Sequence, residues 1–258
     1  MNQRWRLGRD HYRPPREVIN PRLYEVEEIP DDTTAKAFIV RHHYEHSFPA
    51  ARFRFALHRK GTLAGVAVFS HPMNDRVLTS VFPGDAKESV ELGRFVLLDQ
   101  VPGNGETWFL ARAFRVLKRK GIIGVLSHSD PLPRRSSKGH VVKPGHIGTI
   151  YQAKSGRFIG RASPRTEYLL PDGTVFSRRA LQKIRNQEQG WRYASKILVR
   201  HGAEPLGAGE DPRTWLELWL PRLTRRRRHP GNFKYVWPLD RRIRRDLPKA
   251  LPYPKQSA

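Results

Sequence analysis

The stretch ELGRFVLLDQVPGNGETWFLARAFRVLKRKGIIGVLSHSDP, residues 91–131, decides the fold. Residues 92–98 are mostly apolar, with Arg94 as the one charged residue, and they predict a buried strand that stops at the turn-forming residues 99–105. The next segment repeats its apolar residues with helical spacing, at Leu110, Ala113, Phe114 and Leu117. We predict that Gly121 ends this helix and that residues 122–126 form a second buried strand, parallel to the first. Such a βαβ unit binds its ligand at the carboxyl ends of the strands.

The flanking segments predict antiparallel strands and further helices. Residues 53–57 and 64–69, joined by a turn at residues 60–61, predict a hairpin, and residues 77–82 predict another strand. Residues 31–44 begin with good N-cap residues and predict a helix. Further helices are predicted at residues 146–153, 177–185 and 191–201, strands at 158–161 and 167–170, and a tight turn at 171–173. The whole pattern predicts an α+β fold, a mixed sheet flanked by helices with basic terminal extensions.

The charge of the chain indicates its partner. The 258 residues include 48 Lys and Arg against 24 Asp and Glu, a formal net charge of +24. A protein so basic is expected to bind polyanions. Basic and aromatic residues alternate at both ends, so we expect a basic arm (1–21), a central domain (22–205) and a basic aromatic C-terminal extension (206–258) that packs on the domain and contacts nucleic acid. The predicted nucleic-acid-binding residues are Arg225, Arg226, Arg227, Arg228, Lys234 and Tyr235.

Composition also excludes several classes of site. The chain has no cysteine, which excludes disulfides, cysteine nucleophiles, iron–sulfur clusters and cysteine-based zinc sites. No apolar run is long enough to cross a bilayer, and the basic N-terminus has no apolar signal core after it. We therefore expect a cytoplasmic protein without a membrane partner.

The turn between the two buried strands is a candidate phosphate site. Gly103 and Gly105 let backbone N–H groups approach a phosphate, and the dipole of the following helix favours negative charge. The same residues are also compatible with an ordinary βα turn. The predicted cofactor-binding residues are Arg94, Gln100, Gly103, Asn104, Gly105, Glu106 and Ser127. Arg94 is expected near an anionic group of the donor, or else paired with Glu91 or another acidic residue.

The order of hairpin, buried strand, glycine loop, helix and parallel strand is similar to the GNAT-like N-acetyltransferase fold. Within that fold, residues of about 35–235 resemble the phage Mom-type DNA-modification proteins. The blocks that carry this resemblance are residues 42–44 (HHY), 91–94 (ELGR), 108–112 (WFLAR), 127–131 (SHSDP) and 145–152 (GHIGTIYQ).

The resemblance implies a DNA-modifying transferase. Such a protein adds a carbamoylmethyl group to the exocyclic amine of adenine in double-stranded DNA and so shields phage DNA from restriction. Two other classes remain open. One is an acetyltransferase that acts on a protein or small-molecule amine, although a cationic amine substrate favours an acidic cleft. The other is a non-catalytic nucleic-acid-binding protein, which leaves the sequence blocks without a role.

Four residues are the predicted catalytic groups: His43, Tyr44, Asp130 and Tyr151. An adenine amine is a poor nucleophile, so the site must accept its proton. Asp130, at the end of a buried strand, is the first choice to orient or deprotonate the amine, although it is also a plausible turn cap. His43 is a candidate base or a structural residue, and Tyr151 a candidate acid, a stacking surface for an extruded base, or a packed aromatic.

The sequence constrains the identity of the donor and the metal content less than it constrains the catalytic residues. Acetyl-CoA is the expected donor by resemblance, and a glycine-derived donor accounts more directly for the carbamoylmethyl atoms. Iron has been associated with the family, and His42, His43 and His46 are the available histidines in this region. They form no set of two histidines and one carboxylate at a fixed spacing, so we predict no metal site.

Overall fold

The computed structural model describes residues 3–6, 9–14 and 16–255. The strands are β1 (Gln3–Arg6), β2 (Arg9–Tyr12), β3 (Tyr24–Glu28), β4 (Ala51–Arg59), β5 (Thr62–Ser70), β6 (Ser89–Leu97), β7 (Gly124–Ser129), β8 (Arg134–Arg135), β9 (Val141–Lys143), β10 (Arg157–Arg161), β11 (Arg165–Leu169), β12 (Val175–Phe176), β13 (Arg225–His229) and β14 (Phe233–Pro238). The helices are α1 (Asp32–His42), α2 (Arg76–Thr79), α3 (Gly105–Arg119), α4 (Thr149–Ala153), α5 (Arg178–Arg185), α6 (Trp191–Arg200) and α7 (Pro212–Leu223). None of these described helices is long and apolar enough to cross a membrane.

The chain forms two compact units. The first comprises residues 1–131, 144–162 and 232–258, and the second comprises residues 132–143 and 163–231. The predicted boundary after residue 205 falls inside the second unit, because the chain returns to the first unit only when β14 begins. The predicted C-terminal extension is therefore divided between the two units, and its last part supplies a strand to the main sheet.

The first unit is built on a seven-stranded mixed sheet with the strand order β10-β14-β7-β6-β5-β4-β3. β6 and β7 are parallel, and every other neighbouring pair is antiparallel. The turn at residues 98–104 and helix α3 connect the parallel strands, so the predicted βαβ unit is confirmed. The hairpin of β4 and β5 and the helix α1 are confirmed as well.

Helices cover both faces of this sheet. The apolar stripe of α3, which contains Phe109 and Leu110, packs with Phe55 and Phe69 of β4 and β5. Ala56, which follows Phe55 and points to the other face, packs instead with Phe38 and Ile39 of α1, where Val66 and Val68 join it. Adjacent strand residues thus pack against different helices, because successive side chains of a strand point to opposite faces of the sheet. The predicted mixed sheet flanked by helices is confirmed.

The predicted strand at residues 77–82 is wrong. Residues 76–79 form the short helix α2, whose first turn is closed by hydrogen bonds from Leu78 and Thr79 N–H to the carbonyl oxygen of Asp75. Leu78, Val81 and Phe82 all enter one buried cluster. Their spacing of three and four residues is helical, and the β-branched residues among them concealed it.

The second unit has a small sheet and three helices. The sheet has the order β12-β11-β13, and β8 pairs with β9. Helices α5, α6 and α7 share a core that includes Ile184, Leu198 and the fully buried Trp215. The indole N–H of Trp215 donates to the carbonyl oxygen of Glu204 at 3.0 Å, so this large side chain is buried without an unsatisfied donor.

Gly124 makes possible the close packing at the start of β7. A Cβ atom at this position would lie 2.3–2.7 Å from ring carbons of Phe82. We expect Gly124→Ala to lower the free energy of unfolding by about 1–3 kcal/mol, because a well-packed core resists added volume. Urea denaturation measures this change. Gly207→Ala, where the nearest atom lies 3.7 Å away, should change the free energy by less than about 0.5 kcal/mol, and equal effects of both substitutions would refute the packing argument.

Candidate active site

The two parallel strands separate soon after they meet. Their ladder ends where Glu91 lies opposite Leu126, and beyond this pair the Ser127 hydroxyl donates to the carbonyl oxygen of Leu92 at 3.0 Å. From there β6 continues beside β5, and β7 continues beside β14. We call the side chains gathered around this separation the wedge. They are Tyr44, Arg94, Ser127, Ser129, Asp130, His146 and Tyr151.

Tyr44 and His146 form the central contact of the wedge. The Tyr44 hydroxyl lies 3.2 Å from Nε2 of His146. Burial raises the pKa of Tyr44 well above its ordinary value, and the neighbouring Tyr151, Glu45 and Asp130 raise it further. The hydroxyl therefore stays protonated and can donate to Nε2 of His146 when that nitrogen carries no proton. The pair can accept and pass on a proton.

Tyr151 completes an aromatic wall behind this pair. Its ring centroid lies 6.3 Å from that of His146, 5.4 Å from Tyr235 and 5.6 Å from Trp237. Burial raises the pKa of Tyr151, while a hydrogen bond with Ser127 lowers it. Both tyrosines of the wedge are thus neutral hydroxyl donors at physiological pH.

Gly148 allows the loop that carries His146 to approach the sheet. It has a φ of 79°, in the left-handed region, and a Cβ atom there would lie 2.7 Å from the Tyr235 ring and 2.9 Å from the Tyr151 ring. Only glycine meets both requirements. The backbone N–H of His146 also donates to the carbonyl oxygen of Asp130 at 2.9 Å, which joins the loop to the end of β7.

Arg94 supplies the positive charge of the wedge. Its Nε and Nη2 atoms donate to the carbonyl and hydroxyl oxygens of Ser47 at 2.9 and 2.8 Å. The guanidinium group is therefore fixed by the loop after α1. It does not form the alternative pair with Glu91, because that carboxylate binds Nδ1 of His128 at 2.8 Å.

The Glu91–His128 pair and His146 were not among the predicted site residues. All three lie in sequence blocks that carry the family resemblance, so those blocks already indicated these residues as candidates for the site. Sequence spacing could not reveal the pairing, since Glu91 and His128 are 37 positions apart and Tyr44 and His146 are 102 positions apart.

Asp130 and Ser129 bring buried polar groups to the end of β7. Asp130 is 6% exposed, and its charge contributes to the raised pKa of Tyr44, so the two groups are close. The Ser129 hydroxyl is fully buried and has no hydrogen-bond partner among the described residues. An unsatisfied buried hydroxyl is costly, and it is typical of a position where a ligand or water completes the hydrogen bonding.

The glycine loop is bonded to its own chain. Gly103 N–H donates to Oε2 of Glu17 at 2.7 Å, and Oδ1 of Asn104 accepts from the N–H of Ile19 at 2.7 Å. Gly105 N–H donates to the carbonyl oxygen of Pro102 at 2.8 Å. The N–H groups of Gly103 and Gly105, which were predicted to bind phosphate, are thus engaged by protein groups.

Glu106 has a structural position rather than the predicted donor-binding one. Its carboxylate is buried and binds the guanidinium group of Arg4 at 2.8 Å. The side chain of Glu106 is therefore committed to Arg4 rather than to a cofactor. Gln100 contributes its backbone, because its carbonyl oxygen accepts a long hydrogen bond of 3.5 Å from the Tyr24 hydroxyl.

A comparison with protein families identifies the chain. The sequence model of the Mom protein family matches residues 23–255, far more than half of the chain. The chain belongs to the Mom protein family. The match contains every residue of the wedge, and it begins after the N-terminal residues that contact the glycine loop. This confirms the family resemblance drawn from the sequence blocks.

Solved structures similar to this Mom family member are acetyltransferases. A tandem GNAT protein from the clavulanic acid biosynthesis pathway is 11% identical, with a TM-score of 0.37, over 57% of this chain and 49% of that chain. An IAA acetyltransferase from Bacillus cereus is 15% identical, with a TM-score of 0.34, over 59% and 92%. A GNAT family N-acetyltransferase from Escherichia coli in complex with CoA is 18% identical, with a TM-score of 0.31, over 47% and 68%. None of the curated proteins compared with the chain matches it.

The iron associated with the Mom family does not fit the histidines near α1. His42 packs on Phe38 with ring centroids 4.6 Å apart, Nδ1 of His43 accepts from Glu45 N–H at 3.1 Å, and Nδ1 of His46 donates to a backbone carbonyl at 2.8 Å. The three rings thus have separate partners. Across the described ranges, no group of three or more His, Asp or Glu side chains is arranged to hold a metal ion.

His43 also differs from the predicted general base. It is 7% exposed, its ring centroid lies 4.2 Å from that of Tyr44, and its Nδ1 atom is already an acceptor. The structure therefore places His43 beside Tyr44 as a packing partner, and it places His146 where a base can act.

The predicted nucleic-acid-binding residues are split between the two units. On β13 of the second unit, Arg225, Arg226 and Arg228 are exposed. Arg227 instead donates from Nη2 to Glu167 at 2.7 Å and from Nη1 to the carbonyl oxygen of Pro133 at 2.8 Å. The strand therefore presents three of its four arginines to solvent and uses Arg227 in an internal ion pair.

Lys234 and Tyr235 lie on β14 of the first unit. Lys234 is half-buried, but Tyr235 is fully buried, and its hydroxyl donates to the carbonyl oxygen of Ile147. The prediction that Tyr235 contacts nucleic acid is wrong, because its ring packs in the core under α3. Its ring instead packs beside Tyr151 and forms part of the aromatic wall behind the wedge.

Proposed function

We propose that this member of the Mom family is a transferase that adds a carbamoylmethyl group to the exocyclic amine of adenine in DNA, and that this modification protects phage DNA from restriction. The observation that carries the proposal is the wedge, where the Tyr44–His146 pair, Asp130 and Arg94 meet at the carboxyl end of β7. Family membership supports the choice of DNA as substrate.

The chemistry requires a proton acceptor and a polarised electrophile. The amine nitrogen forms a bond to the methylene carbon of the donor, its N–H bond breaks, and the leaving group departs with the electrons of its bond to that carbon. In our proposal the proton passes to His146, directly or through the Tyr44 hydroxyl. Arg94 stabilises negative charge on the donor, and Asp130 stabilises the imidazolium ion that forms.

The target base must leave the duplex to reach these groups. Base flipping costs a few kcal/mol, and stacking on aromatic side chains compensates for part of this cost. Tyr44 and Tyr151 are the aromatic groups of the wedge, and the unpartnered Ser129 hydroxyl offers a hydrogen bond to a base edge.

Ser129→Ala separates a role in binding from a role in folding. We expect the substitution to lower kcat/KM for DNA by roughly 3- to 10-fold, the value of one hydrogen bond. Thermal stability should stay the same or rise, because the hydroxyl makes no hydrogen bond to the described protein. Nucleoside mass spectrometry and differential scanning calorimetry measure the two effects. A loss of stability without a loss of activity would contradict this role.

DNA binding is proposed to use the exposed face of β13. Each arginine that neutralises a phosphate releases counterions and steepens the salt dependence of binding. We expect Arg226→Gln/Arg228→Gln to reduce the slope of log K against log salt by about 2 and to weaken binding to duplex DNA at low salt. Fluorescence anisotropy over a salt series measures this slope.

A charge-matched variant controls for net charge. Arg22→Gln/Arg76→Gln removes two exposed arginines of the first unit, and it should change the slope by less than half as much. Equal slopes for the two variants would assign binding to overall charge rather than to β13. A wild-type protein without affinity for duplex DNA at low salt would overturn the proposed substrate.

A further inference from the structure

The glycine loop is covered by residues 13–14 and 16–19, which we call the covering segment. A Cβ atom on Gly103 would lie 3.3 Å from Oε2 of Glu17, 3.4 Å from Cβ of Arg13 and 3.4 Å from the carbonyl oxygen of Pro14. The open side of Gly103, which a diphosphate would need to approach, is therefore already in van der Waals contact with the chain.

The contact that replaces a phosphate is specific. Glu17 accepts the hydrogen bond of Gly103 N–H at 2.7 Å and pairs with the guanidinium group of Arg13. The hydrogen bond from Arg13 lowers the pKa of Glu17, burial opposes this effect, and the Gly103 N–H lowers it further. The carboxylate is thus ionised, and an anion already lies at the N-terminus of α3, where the helix dipole favours one.

Arg4 anchors the N-terminal region to the same loop from another side. Its Nε and Nη2 atoms donate to Glu106 at 2.9 and 2.8 Å, and Nη1 donates to the carbonyl oxygen of Leu98 at 2.7 Å. Both charged side chains are nearly inaccessible, at 4% and 2% exposure. A buried ion pair with this many hydrogen bonds is a fixed part of the fold.

We infer that Glu17 is a built-in anion that fills the diphosphate position of the glycine loop, so that this chain does not bind coenzyme A or another nucleotide diphosphate there. A second anion at the loop would find the Gly103 N–H already engaged and would be repelled by the Glu17 carboxylate. One consequence rests on the proposed function: the transferred group arrives on a small donor that binds in the wedge without a nucleotide.

Isothermal titration of the full chain with coenzyme A tests the inference. The wild-type protein should show no saturable binding. Glu17→Ala should bind coenzyme A saturably, at least about tenfold more tightly than the weakest affinity that the titration can detect, a difference of about 1.4 kcal/mol. Glu25→Gln, which changes an exposed acid on β3, should behave as the wild type does. Glu17→Gln, which keeps the shape of the side chain but removes its charge, should fall between the wild type and Glu17→Ala.

Two results would overturn the inference. Saturable binding of coenzyme A to the wild-type protein that Glu17→Ala leaves unchanged would show that Glu17 does not compete for the loop. No binding to either protein would show that something other than Glu17 excludes the diphosphate. Since titration does not depend on DNA, its outcome stands even if nucleoside analysis shows that the protein leaves adenine unmodified.

Discussion

Replacing His146 by alanine is expected to reduce the rate of adenine modification by about 10²–10⁴-fold, the usual contribution of a general acid–base group. Nε2 of His146 lies 3.2 Å from the Tyr44 hydroxyl, at the proposed point of proton transfer. The measurement is the initial rate of formation of modified nucleoside from duplex DNA. DNA affinity measured by anisotropy should stay within a few-fold of the wild type.

Two further variants make this result specific. His71→Ala removes a histidine that pairs with Asp75 on the surface, and it should leave the rate unchanged. Tyr44→Phe keeps the ring and removes the hydroxyl, so it should lower the rate without a loss of stability larger than about 1 kcal/mol. Full activity of His146→Ala would show that the proton leaves by another route.

Replacing Arg4 by alanine is expected to lower the free energy of unfolding by about 3–5 kcal/mol, because the buried carboxylate of Glu106 then loses its countercharge. Urea denaturation followed by tryptophan fluorescence measures the change. The exposed Arg22→Ala is the matched control and should cost less than about 0.5 kcal/mol.

The double variant Arg4→Met/Glu106→Leu distinguishes a buried ion pair from simple loss of volume. When both charges are replaced by apolar side chains of similar size, most of the lost stability should return. A cost below about 1 kcal/mol for Arg4→Ala would show that the N-terminal residues are not a fixed part of the fold.

The sequence predicted the centre of the fold because hydrophobic periodicity is strong there. β6, α3 and β7 each bury a continuous apolar run or stripe, so local pattern and tertiary packing agree. The helix α7 was missed, although Asp211 and Pro212 form an N-cap and first-turn signal and the Asp211 side chain accepts from Thr214 N–H at 3.0 Å.

The C-terminal strands could not be predicted from composition. On β13 the inward residues are Arg227 and His229, and Glu167 on the neighbouring strand balances Arg227. An inward face made of charged residues gives no apolar alternation. On β14 the aromatic residues Phe233, Tyr235 and Trp237 do alternate, but their burial depends on pairing with β7, more than a hundred residues earlier.

In the candidate site too, local sequence blocks revealed some residues, whereas contacts between distant parts of the chain could not be predicted. Tyr44, Asp130 and Tyr151 were predicted from sequence blocks, and the structure brings them together around β7. The partner of Tyr44 was missed because a hydrogen bond between residues 44 and 146 depends on how the chain crosses the sheet. The glycine loop was predicted as a donor site because sequence reveals its glycines, whereas the covering segment that fills it is a tertiary contact.

Mass spectrometry of nucleosides tests the central claim most directly. DNA from cells that express the intact protein, or its Asp130→Asn variant, is digested to nucleosides and compared. Our account predicts a deoxyadenosine species heavier by the mass of a carbamoylmethyl group in place of hydrogen, present with the intact protein and strongly reduced with the variant. Unmodified deoxyadenosine alone, in cells that contain abundant folded protein able to bind DNA, would contradict the proposed function.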